Sequence, residues 1–316
     1  MPIGRRGSAR AVVMAVIEEE FDALAAALEV TEAPDFDGTW IPAPPNGVAH
    51  EIAAPGKPAY PFVLARSKNR SNIPANETAR DLLEKWRPEF FVLVGVAGGI
   101  ARPTDGGGWK GPMPGDIVVG EHVHYADFTK IVPKGQYLRY FQLDPPTSEL
   151  ATTHGDGLRH NGDSEGPSWH DTIAVDRPPD TGPHPAVHIG EIIAVEALAG
   201  DPNHEDLRTY LERFDHASAI DMESAGVGRA IHGQRASIQY NPRWMVVRAI
   251  SDRVYASSDD HPAPDVDNNA ERATWKDYAA ASAAACTRAL LHRLLSVPRG
   301  AGEADPGCAS YAAFAP

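Results

Sequence analysis

Cysteine is nearly absent from this chain: its 316 residues include only Cys286 and Cys308. Two distant thiols make neither a disulfide framework nor a cysteine metal site, which suits a reducing cytosol. Long apolar runs are missing too, and none approaches the roughly 20 residues of a membrane span. The segment MPIGRRGSARAVVMAVIEEE sets arginines before an apolar run, as a secretion signal would. That run, Ala11 to Ile17, is short, ends in three glutamates and lacks a small-residue cleavage site, so a cytoplasmic location is expected. Positive charge is in deficit, with a net charge of −14, so a nucleic-acid partner is not expected. Two glycine signatures are lacking as well. Gly106–Gly108 has no Lys-Ser/Thr partner for a phosphate loop, and MAVIEE has no glycine for a dinucleotide turn. No cofactor is expected.

What is present is an alternation of apolar runs and helical patterns. Strands are predicted at 11–17, 61–67, 90–100, 116–128, 186–198, 217–220 and 243–250. Helices are predicted at 18–28, 76–86, 222–233 and 273–295, with a weaker one at 148–160. Ser71 or Asn76 would cap the second, and Pro88 would stop it. Residues 34–47 read as a Pro-rich connection and 161–185 as a surface excursion. The strands are apolar on both faces, which calls for helices on both sides of a mostly parallel or mixed sheet. One domain over 11–296 is expected, with flexible ends at 1–10 and 297–316.

In such sheets ligands sit beyond the C-terminal ends of strands. There the chain places Glu18–Glu20, the run GVAGG (95–99), DMES (221–224) and Ser251-Asp252. Each could serve only as a helix cap or turn. Acids from three separate strands at one edge point instead to a site.

The ordered set VIEEEFDAL, VGVAGGI, GDIVVG, DMESAG and VVRAISD resembles the nucleoside phosphorylase superfamily. It lies nearest the methylthioadenosine/S-adenosylhomocysteine nucleosidases, and the resemblance spans roughly residues 11–295. The closing stretch WKDYAAASAAA is also similar to nucleosidase-like effector domains. The resemblance implies a three-layer αβα sandwich with a central mixed β-sheet, and a homodimer or larger homo-oligomer. It implies cleavage of the N-ribosidic bond of a purine nucleoside or nucleotide with release of adenine. In these terms Asp252 matches the acid at the base, and Glu20 matches the group that orients the attacking water. Glu223 matches the ribose clamp, Met222 packs on the sugar, and Ala97 and Gly98 form a close-approaching turn. Ser251 lies beside the acid, and Leu198 falls where an aromatic usually stacks on the base.

The chain departs from that pattern in several places. Val96 replaces a hydroxyl residue, and Ala194–Glu196 replaces Ser-Gly-Asp. KNRSN (68–72) replaces a Gly-rich loop, placing Arg66, Lys68 and Arg70 near the sugar end as candidate phosphate ligands. Against a phosphate co-substrate stand Glu18–Glu20, whose charges would repel it; hydrolysis is therefore expected over phosphorolysis, with non-catalytic nucleotide sensing as a third reading. His122 and His124 share a strand face without a third ligand, so no metal is expected.

Overall fold

The computed structural model describes residues 9–30, 48–52, 60–133, 135–160, 168–178, 184–197, 204–238 and 240–295. The predicted Pro-rich connection, Leu198 and the C-terminal tail lie outside the described residues.

The strands are β1 (Ala11–Ala15), β2 (Val48–Ile52), β3 (Tyr60–Arg66), β4 (Phe90–Pro103), β5 (Trp109–Lys110), β6 (Ile117–Tyr125), β7 (Thr129–Val132), β8 (Gly135–Leu138), β9 (Val187–Ala194), β10 (Ala217–Asp221) and β11 (Arg243–Tyr255). The helices are α1 (Glu18–Ala27), α2 (Asn72–Trp86), α3 (Gly155–Arg159), α4 (Glu205–Arg213), α5 (Ser224–Ile238) and α6 (Asn268–Leu295).

The main sheet runs β10-β9-β6-β11-β4-β1-β3-β2, with β5 added to β4. Pairing is parallel from β3 through β1 and β4 to β11, and antiparallel between β11 and β6, so the sheet is mixed as expected. Beyond the sequence reading, β10 also pairs back onto β4, Ala219 with Gly99 and Ile220 with Gly98, closing one end of the sheet on itself.

Alternating side chains divide most of the core between two faces of the sheet, and a third cluster gathers Ile100, Ile220 and Val254 with Leu207 and Leu211 of α4. Val13, Val92, Met245 and Val247 belong with α1 and α6 on one face; Val12, Phe91, Trp244 and Val246 belong with α2 and α5 on the other. A buried side chain of this kind contributes about 1.5–3 kcal/mol. The small residues Ala279, Ala280, Ala283 and Ala284 let α6 lie close on its face. Gly226 does the same between α2 and α5: a Cβ there would sit 2.0 Å from the Asn72 carbonyl. Asn72 stitches the junction further, accepting from the Gly226 N–H (2.9 Å) and donating to the Val195 carbonyl (3.1 Å).

Several predicted boundaries move, α6 for instance beginning at Asn268 rather than 273. α2 begins at Asn72 rather than 76, because Pro74 falls in the first turn, where a missing N–H costs little. β11 does not stop at Ser251-Asp252 but continues to Tyr255 through a register shift between Ile250 and Asp252. The excursion is partly packed: Trp169 is buried and donates to the Leu158 carbonyl (3.2 Å). The weak helix is a π-turn at Leu150–His154 running into α3. Strands β2, β5, β7 and β8 and helix α4 were not anticipated.

Candidate active site

The fold brings Glu20, Val96, Ala97, Gly98, Met222, Glu223 and Asp252 to the wall of one cavity. Arg70, Asn268 and Arg272 also line it. Ser251 and two of the three candidate cations are placed elsewhere.

Glu20 lies in the first turn of α1, directly after β1. Its Oε2 accepts from the N–H groups of Val16 (2.9 Å) and Ile17 (3.1 Å), and its Oε1 from that of Val96 (2.8 Å). The Ile17 contact is half of a capping box; Ile17 has no acceptor to return the bond. Three backbone donors thus orient this buried carboxylate at the cavity wall.

Asp252 follows the register shift in β11, at which Ser251 is the extra residue. Ser251 is fully buried. Its hydroxyl donates to Asp252 Oδ1 at 2.6 Å, so it positions the acid rather than lining the cavity. Burial raises the Asp252 pKa from its ordinary value; the Ser251 hydrogen bond and the charge of Arg272 act against the rise.

Glu223 sits between β10 and α5. Burial pushes its carboxyl up to about 7, with the charges of Asp221 and Glu20 adding to the rise; Arg248 and the Ser71 N–H oppose it. Arg248 went unassigned in the sequence, although a guanidinium inside an apolar strand is itself a signal. It is completely buried, donates to Asp221 Oδ2 through Nε (2.8 Å) and to Glu223 Oε2 through Nη2 (3.1 Å). A Cβ on Gly95 would lie 2.3 Å from Arg248 Nη1 and 2.7 Å from Glu20 Oε1, so only glycine leaves room for both groups. Asp221 is structural: it accepts from the Ser224 hydroxyl (2.6 Å) and the Ser224 N–H (3.3 Å) at the start of α5.

The other oxygen of Glu223, Oε1, accepts from the Ser71 N–H at 3.1 Å. Ser71 has φ 91° and ψ 157°, a region otherwise left to glycine, at a cost of about 1–3 kcal/mol. The Ser71 hydroxyl donates to Glu196, whose Oε1 accepts from the Tyr125 hydroxyl at 2.8 Å. The Glu196 N–H in turn donates to Asp127 (2.5 Å). Two departures noted in the sequence, the lost glycines at 68–72 and Glu196, therefore touch each other.

Of the candidate phosphate ligands, Arg66 pairs with Glu18 (3.4 Å) and Lys68 with Asp81 (3.1 Å); only Arg70 lines the cavity. Glu19 pairs with Lys276 at 2.7 Å. Two of the three glutamates expected to repel an anion are thus already matched by cations. Asn268 was also missed. Its Nδ2 donates to the Arg253 carbonyl (3.0 Å), which fixes the amide and leaves a buried Oδ1 without a partner among the described residues. His124 is engaged by Glu191 (2.9 Å) and stacked on Phe214; no cluster of three metal-ligating side chains occurs among the described residues.

Against solved structures, the chain is similar to a 5′-methylthioadenosine/S-adenosylhomocysteine nucleosidase from Neisseria meningitidis in complex with methylthio-immucillin-A. That match has 17% identity and TM-score 0.58, covering 90% of this chain and 98% of that one. The corresponding nucleosidase of Helicobacter pylori matches at 14% identity and TM-score 0.61, covering 91% and 99%. Futalosine hydrolase of Helicobacter pylori strain 26695 matches at 14% and 0.59, covering 90% and 98%. The fold of this chain is the fold of these nucleosidases. No protein-family model and no curated protein matches the sequence.

Proposed function

We propose that the chain hydrolyses the N-ribosidic bond of an adenine nucleoside or nucleotide. The observation that carries this reading is the meeting of Glu20 from α1, Glu223 from the β10–α5 junction and Asp252 from the irregularity in β11 at one cavity.

The chemistry follows from the three environments. Breaking the bond between C1′ and the purine nitrogen leaves an electron pair on the base and positive charge on the sugar, as in glycoside hydrolysis. Asp252, kept protonated to higher pH by burial, gives its proton to N7 so that the purine leaves neutral. Its other oxygen accepts from the 6-amino group, which favours adenine over a 6-oxo purine. Glu223 holds the ribose hydroxyls, and its carboxylate, held by Arg248 and Ser71, faces the developing oxocarbenium charge. Glu20 orients a water against C1′ and takes up its proton as the new C–O bond forms. Met222 packs on the sugar, and Ala97 and Gly98 admit the ligand close to the backbone.

The test is a product assay with adenosine, methylthioadenosine, S-adenosylhomocysteine, AMP and ATP, in phosphate-free buffer. Adenine and a free sugar from at least one substrate are expected. No adenine from any of them at high protein concentration overturns the reading, and ribose 1-phosphate formed only with added phosphate replaces it by phosphorolysis.

A further inference from the structure

Two cations on the cavity wall take part in no ion pair among the described residues. Several ionic groups nearby are already paired, Glu20 is held by backbone N–H groups, and the charge of Arg272 acts on Asp252. Glu18 is matched by Arg66, Glu19 by Lys276 and Glu271 by Arg253 (3.2 Å). Deeper in, Arg248 is matched by Asp221 and Glu223. Arg70 and Arg272 both line the cavity, and neither lies within 4.0 Å of a carboxylate among the described residues.

Their placement is informative. Arg70 immediately precedes Ser71, whose N–H holds the proposed ribose clamp. Arg272 stands on α6 one turn before Lys276. Glu19 joins the two sides: its carboxyl is held below the usual range chiefly by the Lys276 hydrogen bond, with Arg70 adding to the effect. The start of α6 plays no part, because Asp267 already accepts from the N–H groups of Asn269 (2.9 Å) and Ala270 (3.2 Å).

We infer that the substrate carries a phosphoryl group on its sugar, seated between Arg70 and Arg272. This rests on the hydrolase reading and narrows it from nucleosides in general to nucleotides. Two guanidinium groups on the wall of one cavity offer paired donors, and such a planar fork fits phosphate oxygens. A thioether or a bare hydroxyl supplies no such counter-charge. An inorganic phosphate co-substrate has the same chemistry but must approach C1′, where the Glu20 carboxylate stands.

The experiment measures adenine release from AMP, ADP, ATP, adenosine and methylthioadenosine, with and without inorganic phosphate, for the wild type, Arg70→Ala and Arg272→Ala. Thermal shifts with AMP run in parallel. We expect kcat/KM for at least one nucleotide to exceed that for adenosine about tenfold or more, with each variant lowering that ratio towards one. If adenosine or methylthioadenosine matches every nucleotide, the inference fails while the hydrolase reading stands. If turnover needs inorganic phosphate, the anion is a co-substrate and the inference fails. If no adenine appears at all, the hydrolase reading fails. In that case an AMP-induced shift lost in Arg70→Ala upholds the phosphoryl site, and no shift overturns it.

Discussion

Ser71 and Glu196 lie 125 positions apart and share one hydrogen bond, and through it Glu196 holds a backbone conformation that serine disfavours. The strained turn is what aims the Ser71 N–H at Glu223.

This coupling is measurable. Glu196→Ala is expected to raise KM about tenfold with less effect on kcat, since the sugar clamp loosens. Ser71→Gly should cost little, because glycine adopts the turn freely. In the glycine background, Glu196→Ala should then do markedly less, a coupling of about 1–2 kcal/mol in a double-mutant cycle. Strict additivity of the two changes would refute the linkage.

Replacing the acid at the base gives a second expectation. Asp252→Asn retains the shape and the Ser251 contact but has no proton to give. A drop in kcat of about 10²–10⁴-fold is expected, with an unchanged circular dichroism spectrum. Activity within a factor of three of the wild type (a change of under about 1 kcal/mol in the barrier) would remove Asp252 from the mechanism.

The two carboxyls also shape the pH profile, in opposite directions. Glu223 grips hydroxyls best when ionised, so kcat/KM should rise as pH climbs through about 7, the value to which burial pushes it. Asp252 is the proposed acid, so loss of its proton should lower the rate as pH rises, and burial moves that loss to higher pH than for an ordinary carboxyl. Glu223→Gln should abolish the dependence centred near 7 and leave the one set by Asp252. A rate that keeps rising into alkali would contradict the role given to Asp252.

Gly95→Ala inserts one methyl group between Arg248 and Glu20, at 2.3 and 2.7 Å. Overpacking of this kind costs about 1–3 kcal/mol of stability. The expected result is a modestly lowered Tm with a disproportionate loss of activity, because the displaced groups belong to the site. A normal rate would mean that the two side chains are not held where they are described.

Much of this arrangement was legible in the sequence. Apolar runs such as Ala11–Ala15 and Met245–Ile250 mark strands buried on both faces, and acids just beyond them mark the ligand edge. Asp252, Glu20 and Glu223, which line the cavity, were singled out in this way. Other elements were hidden for physical reasons. β11 continues past Asp252 because an extra residue, Ser251, is absorbed in the ladder, and a polar pair reads as a strand end. Lys68 and Arg66 looked equivalent to Arg70, but ion pairs with acids on neighbouring elements divert them, and no local pattern reports such a partner. Asn268 and Arg272 come from the far end of the chain, so only the folded helix α6 carries them to the cavity.

Helix α6 has a further consequence. It spans 28 residues, about 40 Å, and the same rigid rod carries Asn268 and Arg272 at one end and the sheet-packed alanines along its middle. It behaves as a lever whose fulcrum is made of methyl groups. Enlarging one of them, Ala280 or Ala284 for example, is expected to tilt the rod and shift Asn268 and Arg272 at the cavity some turns away. The shape of the opening is therefore expected to respond to substitutions inside the core, at residues that do not line the cavity.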